Sequence, residues 1–453
     1  MSAKRIDLTQ GSILKKLIAM AAPIMAMQVF QMAYNLIDMF FLGRISADAV
    51  AAAGSAGMFI WLSVAFFIVG SMGAEIGVSQ SVGKKDLPMA KKYAKNAVLI
   101  ALVLGIAVMV VTLIFPNQFM RILRIQEAHV VRYAVIYLQI AALSFPLVFL
   151  NNAISGVYNG VGNSKLPFYL KSIGLVFNII ITPIFIFTFD WGIVGAAVAT
   201  SLGQAVSGVL MLMALKHPKL TPFPDDFRFR QVLQPDLTVV KQIFKWALPI
   251  SVDSALFTSL SMIIAGFVAY FGAGAIAAQR VGTQIESLTW LVGAGYASAF
   301  RAFVGQNYGA QQVDRLKKGF RLSASVMASW GVGVGLVMFF AATPLFSLFI
   351  DDPEVVAIGV AYMRILATVQ IAQCLEGVSA SAFDGLGQTL PPTVVRITFN
   401  ALRVLVAFFL SQTALGINGI WIGIAFGNLM RGAVLTSWYL IYSRKKLQIT
   451  EAV

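Results

Sequence analysis

The 453-residue chain is 58% hydrophobic and 12% charged, with a mean hydropathy of +0.81, a combination that excludes an ordinary soluble globular protein and indicates a polytopic membrane protein. Its net charge of +15 would suit a nucleic-acid surface on a soluble domain, but the basic residues fall between apolar runs, where topology accounts for them and no nucleic acid is expected. The single cysteine, Cys374, excludes a disulfide framework, and two histidines, His129 and His217, leave no His-rich metal site.

Apolar stretches long enough to cross roughly 30 Å of hydrocarbon as helices predict twelve spans, at about 17–43, 49–78, 93–115, 131–158, 166–189, 192–215, 240–271, 275–304, 320–343, 355–382, 391–413 and 417–442. Lys4, Arg5, Lys15 and Lys16 precede the first. That span lacks a small-residue cleavage site and its apolar run is too long for a signal peptide, so it is expected to be retained. Within it Gln28, Gln31, Asn35 and Asp38 follow at steps of three, four and three and so share one helical face. An acid at membrane depth is costly and faces a cavity or a partner, which makes Asp38 the first functional candidate.

Basic residues mark alternate loops: Lys84, Lys85, Lys91, Lys92 and Lys95 after span 2, Lys165 after span 4, and Lys216, Lys219, Arg228, Arg230, Lys241 and Lys245 around the 217–239 connection. Arg315, Lys317, Lys318 and Arg321 follow span 8, and Arg444, Lys445 and Lys446 follow span 12. The opposite loops carry Asp48, Asp190, Asp351, Asp352 and Glu354. The positive-inside rule then predicts a plasma (inner) membrane protein with both termini cytoplasmic. Arg44, and Arg121, Arg124 and Arg132 after span 3, run against this pattern.

The chain also repeats itself at a spacing of about 226 residues: Ala22-Pro23-Ile24 recurs as Leu248-Pro249-Ile250, Ala49-Val50-Ala51-Ala52 as Ala275-Ile276-Ala277-Ala278, and Gln80/Gly83 as Gln306/Gly309. Gly160-Val161-Gly162 recurs as Gly385-Leu386-Gly387, and Gly192/Gly195 as Gly416/Gly419. Six spans per half, repeated in the same orientation, predict two lobes related by an axis along the membrane normal. The expected division is 1–216, a proline-bearing linker at 217–239 (Pro218, Pro222, Pro224, Pro235) and 240–453. The Gly-x-Gly turns lack the strand-then-helix context of a phosphate loop and are expected to be tight turns.

In this order and repetition the motifs resemble those of multidrug and toxic compound extrusion (MATE) transporters of the MOP flippase superfamily. The match rests on Pro23, Asp38 and Gly43, the Gln80/Gly83 and Gly305–Ala310 turns, the Gly-x-Gly turns and the Gly192–Thr200 entry to span 6. The resemblance implies an all-α, V-shaped protein of twelve transmembrane helices in two six-helix bundles, a monomer without cofactors or ATP. It implies export of drugs or organic cations, amphipathic compounds included, in exchange for H⁺ or Na⁺. It also implies that Asp38 is the coupling acid, near Asn178 and Thr200. One branch of the family has a second acid where this chain has Thr182, a departure that leaves a single carboxylate among neutral oxygen donors. Another branch binds a cation through acids on the seventh and tenth helices. Here Asp253 falls one turn early, and Gln373 stands near the expected acid with Glu376 one turn later, so that site is not carried over.

Protonation of Asp38 would compete with a cationic substrate, whereas Na⁺ would need the further oxygens of Asn178, Thr182 and Thr200. Gln31, Tyr34, Asn35, Tyr137, Asn151 and Asn152 are expected to shape the substrate cavity, with Met residues supplying adaptable surface. Glu286, Asp253, Gln373 and Glu376 are secondary candidates, with Arg301, Arg364, Arg396, Arg403 and Arg431 available to neutralise the acids. Two alternatives stand beside the exporter: a flippase for lipid or lipid-linked substrates, which would be expected to line the cavity with Arg or Lys, and an integral membrane enzyme, for which no catalytic constellation is present.

Overall fold

The apolar runs become long helices because hydrocarbon offers no partner to a backbone N–H or C=O, so each group bonds within its own helix. The computed structural model describes residues 5–122, 127–223, 227 and 232–445; Lys4, Arg124, Pro224, Arg228, Arg230 and Lys446 lie outside them. Among the described residues the first half holds α1 (Ile13–Gly43), α2 (Ala47–Leu62), α3 (Val64–Gly83), α4 (Leu87–Ile114), α5 (Pro116–Ile122), α6 (Ala128–Leu143), α7 (Phe145–Gly160), α8 (Lys165–Pro183) and α9 (Gly192–Lys216). The second half holds α10 (Leu237–Tyr270), α11 (Ala273–Gly309), α12 (Val313–Phe340), α13 (Ala342–Ser347), α14 (Pro353–Ala367), α15 (Gln370–Gly385), α16 (Leu390–Ser411) and α17 (Ile417–Lys445). Helix starts follow the local chemistry. Ser46 accepts from the Ala49 N–H at 3.0 Å and Asp86 from the Met89 N–H at 2.9 Å, satisfying first-turn donors.

Several expected spans are broken. Span 2 is α2 and α3 joined at Ser63, whose Oγ donates to the Ile60 carbonyl at 2.6 Å. Span 4 is α6 and α7, bent by 49° at Ser144, where Oγ donates to the Ala141 carbonyl at 2.7 Å and Pro146 follows. A hydroxyl that bonds back to the preceding turn, followed by a proline without an N–H, bends a helix. Span 10 bends by 50° between α14 and α15, and there Thr368 Oγ1 donates to the Ile365 carbonyl at 2.7 Å. Among the described residues nine helices are long and apolar enough to span, and the two bent pairs raise that to 11. The twelfth is α11, whose Gln279, Arg280, Thr283, Gln284 and Glu286 hold its hydropathy down.

The chain forms two compact units, Met1–Asp7 with Ala22–Ser251 and Leu8–Ala21 with Val252–Val453. The first has an apolar core around Val69, Ala97, Phe149 and Val157, and a second core around Leu42, Ala52, Tyr137 and Ala197. In it Ser251 Oγ donates to the Ala65 carbonyl at 2.6 Å, which ties the start of α10 to α3. In the second unit Met363, Leu366, Ile420 and Trp421 are central. There Arg315 donates to the carbonyls of Gly11 and Gln10 at 2.9 and 3.0 Å, and the Leu8 N–H donates to Gln306 Oε1 at 3.1 Å. These bonds assign the segment before α1 to that unit. Both Gly-x-Gly turns place a glycine in the left-handed region, Gly162 at φ +85° and Gly387 at φ +75°, where an L side chain is strained.

Candidate functional site

The geometry around Asp38 begins with a close approach of α8 and α9. A Cβ on Gly203 would lie 2.7 Å from the Asn178 Cβ and 2.9 Å from the Gly174 carbonyl, so only glycine lets the two backbones touch. That contact fixes Asn178 and Thr182 on α8 and Thr200 on α9. Beyond Pro183 the chain widens into a π-helical turn at Ile184–Thr188, the irregularity often found beside functional residues.

The Tyr34 hydroxyl on α1 meets Thr200 Oγ1 at 2.9 Å, and Asn178 is also within reach of it. Tyr137, buried on α6, faces Thr200 as well, and both tyrosines feel the charge of Asp38. Asp38, Asn178, Thr200, Tyr34 and Tyr137 thus gather in the first unit. Among the described residues, Asp38 Oδ1 there lacks a protein partner. Thr182 sits beside this group, but its hydroxyl donates to the Asn178 carbonyl at 2.8 Å and lies 3.3 Å from Asn178 Oδ1. It therefore orients Asn178 through the helix backbone.

The other expected substrate residues divide. Gln31 donates to Asn35 Oδ1 at 3.4 Å, and Asn35 is exposed. Asn151 is buried, with Oδ1 unpartnered among the described residues. Asn152 Oδ1 accepts from Lys171 Nζ at 3.3 Å. Lys171 was absent from the expected set although a lysine inside an apolar span is itself the signal.

The second unit gathers charges of both signs. Arg396 on α16 binds Glu376 on α15 through Nε, and its Nη1 lies 3.6 Å from Asp253 on α10. Asp253, one turn early by the sequence, therefore meets Glu376 across a guanidinium. Glu286 on α11 accepts from the Tyr362 hydroxyl at 3.0 Å rather than from an arginine, and Gln373 Oε1 has no partner among the described residues. Arg403 donates to Ser261 Oγ at 2.9 Å and lies over the Phe257 ring at 4.9 Å, while Arg301 pairs with Asp384 at 3.6 Å. Arg364 lies over the Phe339 ring at 5.7 Å.

The MatE family model matches residues 23–184 and again 249–409. The chain belongs to the MatE family. The double match covers Asp38, Asn178 and Thr182 in its first part and Asp253, Glu286, Glu376 and Arg396 in its second. Among MatE relatives, the probable multidrug resistance protein NorM of Thermotoga maritima is 26% identical, over 94% of this chain and 92% of the relative. The probable multidrug resistance protein YoeA of Bacillus subtilis is 27% identical, over 98% and 97%. A MOP superfamily transporter from Pyrococcus furiosus shares the fold, with a TM-score of 0.91 at 21% identity over 100% of this chain and 99% of that one. The MatE fold of twelve transmembrane helices is thus common to proteins of quite different sequence.

Proposed function

We propose that this MatE protein is a secondary active exporter of organic cations and amphipathic drugs, driven by exchange for H⁺ or Na⁺ at Asp38 and working as a monomer without ATP or a cofactor. The observation that carries the reading is Asp38 itself, an acid at membrane depth with one buried oxygen lacking a protein partner among the described residues. The names of the two bacterial relatives, both probable multidrug resistance proteins, support the substrate side.

A drug cation and a coupling ion compete for that carboxylate. Each weakens the other by the same factor at equilibrium. Proton coupling needs Asp38 alone, with Tyr34, Tyr137 and Asn178 adjusting their hydrogen bonds as the charge changes. Na⁺ coupling would recruit the oxygens of Asn178, Thr182 and Thr200, since a hard cation binds several oxygen ligands. The test is efflux of a fluorescent cation from everted vesicles under imposed pH or Na⁺ gradients. Wild type is expected to respond to one gradient, and Asp38→Asn, expressed equally, to neither. Undiminished gradient-driven efflux by Asp38→Asn overturns the proposal, as does gradient-independent flipping of a lipid-linked substrate.

A further inference from the structure

The interior of the first unit holds a cation that the coupling chemistry of Asp38 leaves unused. Lys171 stands six residues into α8, and a lysine so placed has the reach to snorkel back to the interface. Its amine instead turns to α7, where Nζ donates to Asn152 Oδ1 at 3.3 Å. Asn152 is fixed for this contact, since its Nδ2 donates to the Val148 carbonyl at 2.9 Å and leaves Oδ1 to the lysine. The Lys171 carbonyl accepts from Ser207 Oγ at 3.4 Å, next to the close α8–α9 contact at Gly174. Among the described residues no carboxylate pairs with the amine, and three N–H donors on a full charge meet one neutral oxygen. A charge inside a membrane protein finds an opposite charge or marks a substrate path.

Its placement relative to Asp38 follows from the helices. Lys171, Asn178 and Thr182 are separated by seven and four residues and so share one face of α8. Phe30 on α1 packs on Phe168 on α8 with centroids 5.7 Å apart, and Phe41 on Phe187 at 6.3 Å. The two segments therefore run side by side in the same direction. Eight residues separate Phe30 from Asp38 and three separate Phe168 from Lys171. At 1.5 Å per residue, measured from the Phe30–Phe168 contact, Lys171 lies roughly 7–8 Å below the level of Asp38. Aromatic rings at Phe30 and Phe168 flank the lower end.

We propose that Lys171, held by Asn152, is the acceptor for an acidic group, so that the lobe selects amphoteric compounds with a cationic nitrogen at Asp38 and a carboxylate or phosphate at Lys171. This rests on the export reading above and narrows its substrate class. An ammonium supplies a point charge to such an anion, and a flat aromatic body fits between the two charged ends. Asp38 supplies the competition with the coupling ion, and Lys171 the preference for acids.

The experiment compares a rhodamine dye bearing a free carboxylate with its methyl ester, measuring binding to the purified protein in nanodiscs and efflux from everted vesicles. Wild type is expected to favour the free acid. Lys171→Met is expected to lose roughly tenfold in apparent affinity for the acid and to keep its affinity for the ester, while Lys171→Arg retains the preference. An unchanged acid-to-ester ratio in Lys171→Met overturns the inference and leaves the export reading standing. An equal loss for both dyes together with a lower melting temperature assigns Lys171 a structural role and overturns it too. Failure of wild type to export either dye counts against the export reading, and the inference falls with it.

Discussion

Tyr34 on the first helix and Thr200 on the ninth meet hydroxyl to hydroxyl at 2.9 Å, across 166 residues of chain. Such a bond joins the helix that carries Asp38 to the one packed on Asn178, and its worth is about 1 kcal/mol. Tyr34→Phe and Thr200→Ala are each expected to lower efflux about fivefold, with expression retained. The double variant is expected to lose little more than either single one, because both remove the same bond. Full additivity in the double-mutant cycle would show that the contact does not matter to transport.

On the proposed reading, protonation removes the charge of Asp38 and with it the attraction for a drug cation. Equilibrium binding of a permanently charged dye is therefore expected to weaken as pH falls in wild type and to stay flat in Asp38→Asn. Titration of dye fluorescence at fixed salt checks this. A pH-independent wild type would argue for Na⁺ as the coupling ion.

Arg396 lies between Asp253 and Glu376, and its loss leaves two buried acids with only the more distant charge of Arg431 to offset them. Breaking a buried pair by removing one partner costs about 3–5 kcal/mol. Arg396→Met is expected to lower the melting temperature in detergent sharply. Adding Glu376→Gln to it restores part of the loss, since one uncompensated charge disappears. If Arg396→Met melts like wild type, the triad is not what holds these three helices together.

Asp236, outside the membrane spans, caps α10. Its Oδ1 accepts from the Thr238 and Val239 N–H groups at 3.0 and 3.3 Å, and Oδ2 lies 3.5 Å from Lys92 Nζ. The backbone N–H of Val239 is the largest influence and, with the N–H of Thr238 and the Lys92 charge, holds its carboxyl below the ordinary range against the opposing effect of desolvation. A lowered folded value stabilises the protein above the unfolded carboxylate value of about 3.9, and that contribution is lost as pH falls through the lower one. Asp236→Ala is expected to melt a few degrees earlier than wild type at pH 7, and the gap is expected to close at pH ~3.

Most of the helical frame was legible because apolar length alone requires it, and the paired prolines and Gly-x-Gly turns announced the repeat. The bends were not, since a window of hydropathy sums over Ser144 and Thr368 without registering that their hydroxyls bond back to the preceding turn. Asp38 stood out as an acid in an apolar run, and Tyr34, Tyr137 and Thr200 join it in space. Thr182 is similar in sequence terms but spends its hydroxyl on its own helix, a choice that residue spacing does not encode. Lys171 was visible as a lone cation in span 5, yet its meaning depends on Asn152 across the helix pair, a contact that sequence separation conceals. The convergence of Asp253 and Glu376 on Arg396 was hidden for the same reason, because it joins three helices at once.

Arg396 gives the acids of the second unit a countercharge that is part of the chain and never leaves. On the proposed reading, Asp38 of the first unit holds one positive partner at a time. Exchange of a single proton or Na⁺ for a singly charged drug at that carboxylate transfers no net charge across the bilayer. Voltage by itself would then do no work on such a substrate, and the chemical gradient of the ion would set how far the drug is concentrated outside. An amphoteric substrate with its acidic end on Lys171 differs: its neutral whole leaves while a positive ion enters, and the membrane potential joins the driving force.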